Sequence, residues 1–129
     1  MSIITKTDAE IDLMREPCAI VRDTLAFVGE RISAGMSTKE VDELVERFIR
    51  AAGAYPSCLG YGGFPASACV SVNEVVVHGI PDDKTILKDG DIVSVDLCAY
   101  KNGFHGDAAR TFLIGNVSEE KRLLVERTK

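Results

Sequence analysis

An Asn102-Gly103 pair divides two long runs of strand-forming residues, and each run carries one aspartate in an otherwise apolar stretch. The first runs Asp91-Ile-Val-Ser-Val-Asp96-Leu-Cys-Ala-Tyr100, and the second Phe104-His-Gly-Asp107-Ala-Ala-Arg-Thr-Phe-Leu-Ile114. Asn-Gly between such runs is the strongest short-range signal for a β-hairpin, because a type I′ turn needs positive φ at both central residues. A two-residue loop pairs Lys101 with Phe104, Cys98 with Asp107 and Asp96 with Ala109. Alternation then puts Asp96, Cys98 and Asp107 on one face, with the two aspartates diagonal neighbours roughly 7 Å apart or less. His105 is read onto the opposite face, as a surface or supporting residue. Carboxylates on a half-buried face need a partner or a metal. Three readings stay open here: convergence on one or two cations, an ion pair with Arg110, or simple solvation. A register slip of one residue would send the two carboxylates to opposite faces.

The chain of 129 residues is one domain's length, residues 1–129, enough to bury a core. Its net charge of −5 and its 6% aromatic content, with no Trp, argue against a nucleic-acid or anionic-membrane surface. No apolar run reaches the roughly 20 residues of a membrane span. Met1 to Asp8 lacks the charged and apolar regions of a signal peptide, so the expectation is a cytoplasmic protein. Cys18, Cys58, Cys69 and Cys98 show no C-x-x-C spacing, which leaves a zinc knuckle or a disulfide framework unsupported. Cys18 is expected as a small buried hydrophobe on a helix.

Thr7-Asp-Ala-Glu10 and Ser37-Thr-Lys-Glu40 are capping boxes, each opening an apolar stripe at helical spacing. The first stripe is Ile11, Met14, Cys18, Val21, Leu25 and Val28, and Pro17 should kink that helix or delay its start. The second is Val41, Leu44, Val45, Phe48 and Ile49, with Gly53 at the helix exit. From Tyr55 the period changes. Tyr55–Gly60, Ala68–Val72 and Glu74–His78 read as short strands around the loop Tyr61-Gly-Gly-Phe-Pro65. That loop matches neither phosphate-binding glycine pattern, and its glycines are read as allowing close approach of backbone to a ligand. Ser118 caps a last helix bearing Leu123, Leu124 and Val125, which ends at Lys129 as if cut short. A histidine at a strand end, as His78 is read, is more often structural than catalytic.

Four stretches change that weighting. Tyr55 to Pro65, Ser71-Val-Asn-Glu-Val-Val-Val-His-Gly-Ile-Pro-Asp82, Leu87-Lys-Asp-Gly-Asp-Ile-Val-Ser-Val-Asp96 and Gly103 to Phe112 resemble the first half of the type I methionine aminopeptidases. Prolidase, creatinase and aminopeptidase P share that architecture without this wording. The resemblance implies an α/β (α+β) fold: the first half of a pita-bread fold, with two N-terminal helices, an antiparallel curved sheet containing a 91–115 hairpin, and a truncated C-terminal helix. It implies metal-dependent removal of the N-terminal methionine from nascent proteins, with two divalent ions (Co, Mn, Fe or Zn) in the complete fold. Asp96 and Asp107 match metal ligands, and His78 matches a histidine beside the scissile peptide. Cys58, Tyr61, Phe64 and Cys69 match the methionine pocket, and Asn73 a position near a monovalent cation. Two positions depart from the pattern: Gly62 stands where many members carry His, and Ala66 where many carry Lys. The ligands expected from a second half, one His and two Glu, are absent.

The partners implied are peptide or nascent-protein N-termini beginning with Met, and the ribosome. Nucleic acid and membrane are not expected. A half fold would expose apolar surface to a complementary half or to a homodimer mate. The competing reading is a catalytically inactive half-domain that binds or dimerises.

Overall fold

Both capping boxes form as the sequence predicts. In the computed structural model, which describes residues 3–129, Thr7 accepts from the Glu10 amide while Glu10 reaches back to the Thr7 amide, opening α1 (Asp8–Gly29). Ser37 and Glu40 do the same for α2 (Thr38–Ala51). Met1 and Ser2, part of the stretch read for a leader, lie outside the described residues. Pro17 sits inside α1, which starts at Asp8, and the helix runs on through it to Gly29.

The remaining elements are β1 (Tyr55–Pro56), a short 3-10 turn (Tyr61–Gly63), β2 (Ala68–Val72), β3 (Ile92–Lys101), β4 (Phe104–Leu113) and α3 (Glu119–Arg127). β3 is the centre of an antiparallel sheet. β4 pairs along its whole length in the register expected from Asn102-Gly103: Lys101 opposite Phe104, Cys98 opposite Asp107, Asp96 opposite Ala109. β1 and β2 share its other edge, with Pro56 opposite Ala99 and Cys69 opposite Asp96. Asn102 and Gly103 have φ of 56° and 81°, as the turn requires.

Alternation divides the sheet into two faces. Val93, Val95, Leu97 and Ala99 are fully buried beneath the helices, against Val21, Leu25 and Val28 of α1 and Val41, Val45 and Ile49 of α2. Gly106 lets β4 lie on α1, since a Cβ there would sit 2.5 Å from the Pro17 carbonyl. The hairpin turn is tied to α1 as well: Lys101 pairs with Glu16 at 2.8 Å and Asn102 Nδ2 donates to the same carboxylate. The other face of β3, bearing Ser94, Asp96 and Cys98, points away from α1 and α2 and is half-buried.

Three expectations need correction. Glu74–His78 is a loop, not a strand: Asn73 and His78 both adopt positive φ, and Val76 is 83% exposed. Gly79 occupies the free edge of β2 there, accepting from the Val70 amide at 2.9 Å. The run from Tyr55 is a strand only through Pro56 and then turns. Cys18 is exposed, because the buried face of α1 runs through Pro17, Ile20, Val21, Thr24, Leu25 and Val28, and Cys18 is turned away from it.

Candidate functional site

On the face of the sheet away from the helices, Cys69 of β2, Asp96 and Cys98 of β3 and Asp107 of β4 stand on adjacent strands. Two loops complete a cavity of about 650 Å³ above them. One carries Cys58, Tyr61, Phe64 and Pro65, and the other His78 and Ile80. Positive φ at Gly60, Gly62 and Gly63 folds the first loop into a tight turn. No atom lies within 4 Å of a Cβ built at any of the three, so they serve backbone conformation rather than close packing within the chain. The second loop holds His78 at φ 57°, anchored by Gly79, whose amide donates to Ser71 Oγ at 3.1 Å. Non-glycine residues in this region carry strain of order 1 kcal/mol, which is commonest at functional sites.

The electrostatics of the pocket are those of crowded acids. Burial, then the charge of Asp107, raise the Asp96 carboxyl above its usual range, and His78 opposes the shift. Burial pushes the Cys69 thiol up to about 11. The Cys58 thiol is lowered to about 7, chiefly by the neighbouring Cys98 side chain and against the effect of burial. The Cys98 thiol is raised, chiefly by Cys58, with burial and Asp107 adding to it. Arg110 pairs with neither aspartate among the described ion pairs, and its guanidinium lies 5.2 Å from the Phe112 ring centroid. The carboxylates therefore face each other without a cation from the chain.

Carboxylate oxygens of this kind suit a divalent cation. Among the described residues, however, no three His, Cys, Asp or Glu side chains converge to hold a metal by themselves. Asp96 and Asp107 fit as part of a ligand set, with further donors needed.

Seven of the eight residues singled out from the sequence thus line one cavity. Asn73 does not. It lies beyond the end of β2, where its Nδ2 donates to Asp91 and its Oδ1 accepts from the Ile92 amide and from Lys121 Nζ at 3.0 Å. Lys121 also donates to the Gly90 carbonyl at 2.8 Å, so an ammonium group occupies this corner beside the Asn73 side chain. His105 is on the same face as Asp107, not the opposite one, since positions two apart on a strand point the same way. It stands across from Tyr100, with Nδ1 3.0 Å from Ser57 Oγ. Cys98 and Ile80 were not singled out as pocket residues. Alternation had already put Cys98 on the face, whereas Ile80 enters through a loop that no period describes.

Comparison with known proteins agrees with this geometry. The profile of metallopeptidase family M24 matches residues 12–129. The chain belongs to this family. It is 50% identical over 127 residues to a methionine aminopeptidase of Clostridium acetobutylicum, covering 98% of this chain and 51% of that protein. The human mitochondrial methionine aminopeptidase 1D is 48% identical over 125 residues, covering 97% of this chain and 37% of its own length. Among solved structures, the methionine aminopeptidase of Rickettsia prowazekii superposes with a TM-score of 0.94 at 35% identity, over 97% of this chain and 50% of that one. The Thermotoga maritima enzyme gives 0.93 at 39% identity, again over 97% and 50%. The fold is therefore one half of the pita-bread fold of the methionine aminopeptidases, and the chain spans about half the length of the bacterial relatives it matches.

Proposed function

We propose that this chain carries one ligand set of a divalent-metal site in a cytoplasmic aminopeptidase that removes N-terminal methionine. The observation that supports it most is the convergence of Asp96, Asp107 and His78 with Cys58, Tyr61, Phe64 and Cys69 around one cavity. Divalent ions, when bound, polarise a scissile carbonyl and lower the pKa of water. Asp96 and Asp107 would hold them, and a bound cation would offset the repulsion that the Asp107 charge exerts on Asp96. His78, poised at the mouth on a strained loop, orients the peptide nitrogen of the substrate and stabilises developing charge. Tyr61, Phe64, Ile80 and the thiols of Cys58 and Cys69 form a soft, apolar wall suited to an unbranched thioether side chain.

The relatives' extra length motivates the rest of the reading. The missing His and Glu donors come from a second half, or from a complementary chain, seated over the open face of the sheet. Tyr61, 82% exposed, and Val76 beside the pocket are the surface such a partner covers. A second copy of this chain is the alternative occupant. The natural substrates are peptide N-termini beginning with Met, met as they leave the ribosome.

Titration of the zinc-loaded chain by NMR tests this reading. Methioninamide is expected to shift the resonances of Tyr61, Phe64, Cys69 and His78, while N-acetylmethioninamide, lacking the free amine, leaves them in place. Equal shifts from both ligands, or shifts confined to other surfaces, would overturn it.

A further inference from the structure

β2 is apolar from Ala68 to Val72 except at Ser71, which is 4% exposed. A hydroxyl buried in such a strand costs stability unless it is hydrogen-bonded. Alternation places Ser71 on the cavity face, opposite Ser94, which stands opposite Thr111. The three hydroxyls form one row across the sheet, beside the row of Cys69, Asp96 and Ala109. Ser94 and Thr111 bond to each other at 2.7 Å. Ser71 turns to the loop instead, and its Oγ accepts from the Gly79 amide at 3.1 Å.

That bond falls where the loop has little else to hold it. On one side the Val75 amide donates to the Val72 carbonyl at 3.1 Å. On the other, Asp82 is tied to the Thr38 hydroxyl through its amide at 3.0 Å and its carbonyl at 3.1 Å. Between them, among the described bonds, the amides of Val76, Val77, His78 and Ile80 have no acceptor, and Pro81 has no amide to offer. Val76, Val77 and Ile80 are exposed, so packing holds the span poorly as well. Gly79 alone is tied, by its carbonyl to the Val70 amide at 2.9 Å and by its amide to Ser71. The first bond joins main chain to main chain. Of the two, only the second is decided by a side chain.

We propose that Ser71 is the positioning residue of His78. Its hydroxyl pins Gly79 onto β2 and so fixes where the adjoining imidazole stands at the mouth of the cavity. The proposal rests on the reading of His78 as the group that meets the substrate. Ser71 does not itself line the cavity, and it acts through His78. Without the hydroxyl, Gly79 keeps one bond of two, the 77–80 span pivots about the Val70 bond, and the imidazole spreads over several positions. Aligning a peptide nitrogen needs a single position, since a displacement of about 1 Å can cost about a hundredfold in rate. The φ of 57° at His78 makes the tether more consequential, because a residue released from that strained region returns to an ordinary conformation.

The test compares Ser71→Ala, Ser71→Thr and Ser94→Ala with the unaltered chain by NMR. In Ser71→Ala the Gly79 amide should exchange with solvent roughly fivefold faster, the loss of one hydrogen bond read as an opening equilibrium. Amide order parameters over 77–80 should fall from the rigid value of about 0.85 toward about 0.6. Ser71→Thr, which keeps the hydroxyl, should restore both. Ser94→Ala removes a hydroxyl from the same row without touching the loop, and should change neither. In zinc-loaded Ser71→Ala, methioninamide should still shift Tyr61, Phe64 and Cys69, while the shift at His78 is lost. Should Ser71→Ala not fold, the unaltered chain decides alone, its Gly79 amide being better protected than those of Val76 and Val77. Equal exchange at all three, unchanged dynamics over 77–80 in folded Ser71→Ala, or the same loosening in Ser94→Ala would overturn the proposal. Silence of every pocket resonance toward methioninamide in the unaltered chain would sink the reading of His78, and with it the role given to Ser71, while the exchange rates still report the tether.

Discussion

Gly79 supports His78 from beneath, and replacing it with alanine isolates that support. Its φ is not in the left-handed region, so conformation alone does not demand glycine there. Space does. A Cβ would fall within contact distance of the Val70 carbonyl oxygen, 2.8 Å from the Val70 carbonyl carbon and 3.0 Å from Ser71 Cα, all backbone of β2. Relief requires the 78–80 segment to lift away, breaking the bonds from Val70 N at 2.9 Å and to Ser71 Oγ at 3.1 Å. Two hydrogen bonds at about 1 kcal/mol each, plus residual overpacking of about 1 kcal/mol, give roughly 3 kcal/mol. For a chain of this size that lowers the midpoint of thermal unfolding by about 10 °C. Gly62→Ala is the control. Its φ is 56° but nothing lies within 4 Å, so only the conformational cost of about 1 kcal/mol applies. Circular-dichroism melts of both variants decide the matter. If Gly79→Ala melts no lower than Gly62→Ala, the steric account of the His78 loop is wrong.

Asp42 accepts from the Ser67 and Ala68 amides at 2.9 and 2.8 Å. Asp42→Ala should therefore cost about 2–4 kcal/mol by orphaning two buried donors, whereas Asp42→Asn keeps an acceptor and should cost far less in a urea titration. Burial raises the Asp42 carboxyl above its usual range. Its contribution is then full below the ordinary carboxylate pKa and is lost as pH rises through the raised value, so the stability advantage of the unaltered chain over Asp42→Asn should shrink from pH 4 to pH 7. Asp107→Asn in cation-free chain should leave stability at neutral pH unchanged or higher by up to about 1 kcal/mol, because it relieves Asp96; a loss of several kcal/mol in the same melts would reveal a structural ion pair. Lys121→Met should loosen α3, read as faster hydrogen exchange over 119–127, by removing its bonds to Asn73 and Gly90. Cleavage of Met-initiated peptides by the purified chain alone, followed by chromatography, should be negligible, since most metal ligands are missing.

The features that periodicity encodes were legible, and those made by long-range polar pairing were not. The hairpin register follows from Asn102-Gly103, and with it the shared face of Asp96, Cys98 and Asp107. Thr7 and Ser37 declare their helices because a capping box is local chemistry. The valines at 75–77 misled because β-propensity measures fit to a half-buried pleated surface, and Gly79 already takes the one free edge available to them. Cys18 lies at the margin of the apolar period of α1: the buried face is centred on Pro17, Val21, Thr24 and Val28, and Cys18 is turned roughly a quarter of the way round the helix from it. Lys121 against Asn73, and Asp42 against the start of β2, join residues far apart in sequence and leave no pattern to read.

The central claim is that Asp96 and Asp107 hold divalent cation together. Isothermal titration of manganese into the reduced chain, alongside Asp96→Asn and Asp107→Asn, tests it most directly. The account predicts weak binding by the unaltered chain that is abolished in each variant while both keep their fold by circular dichroism. Undiminished binding in both folded variants would contradict it.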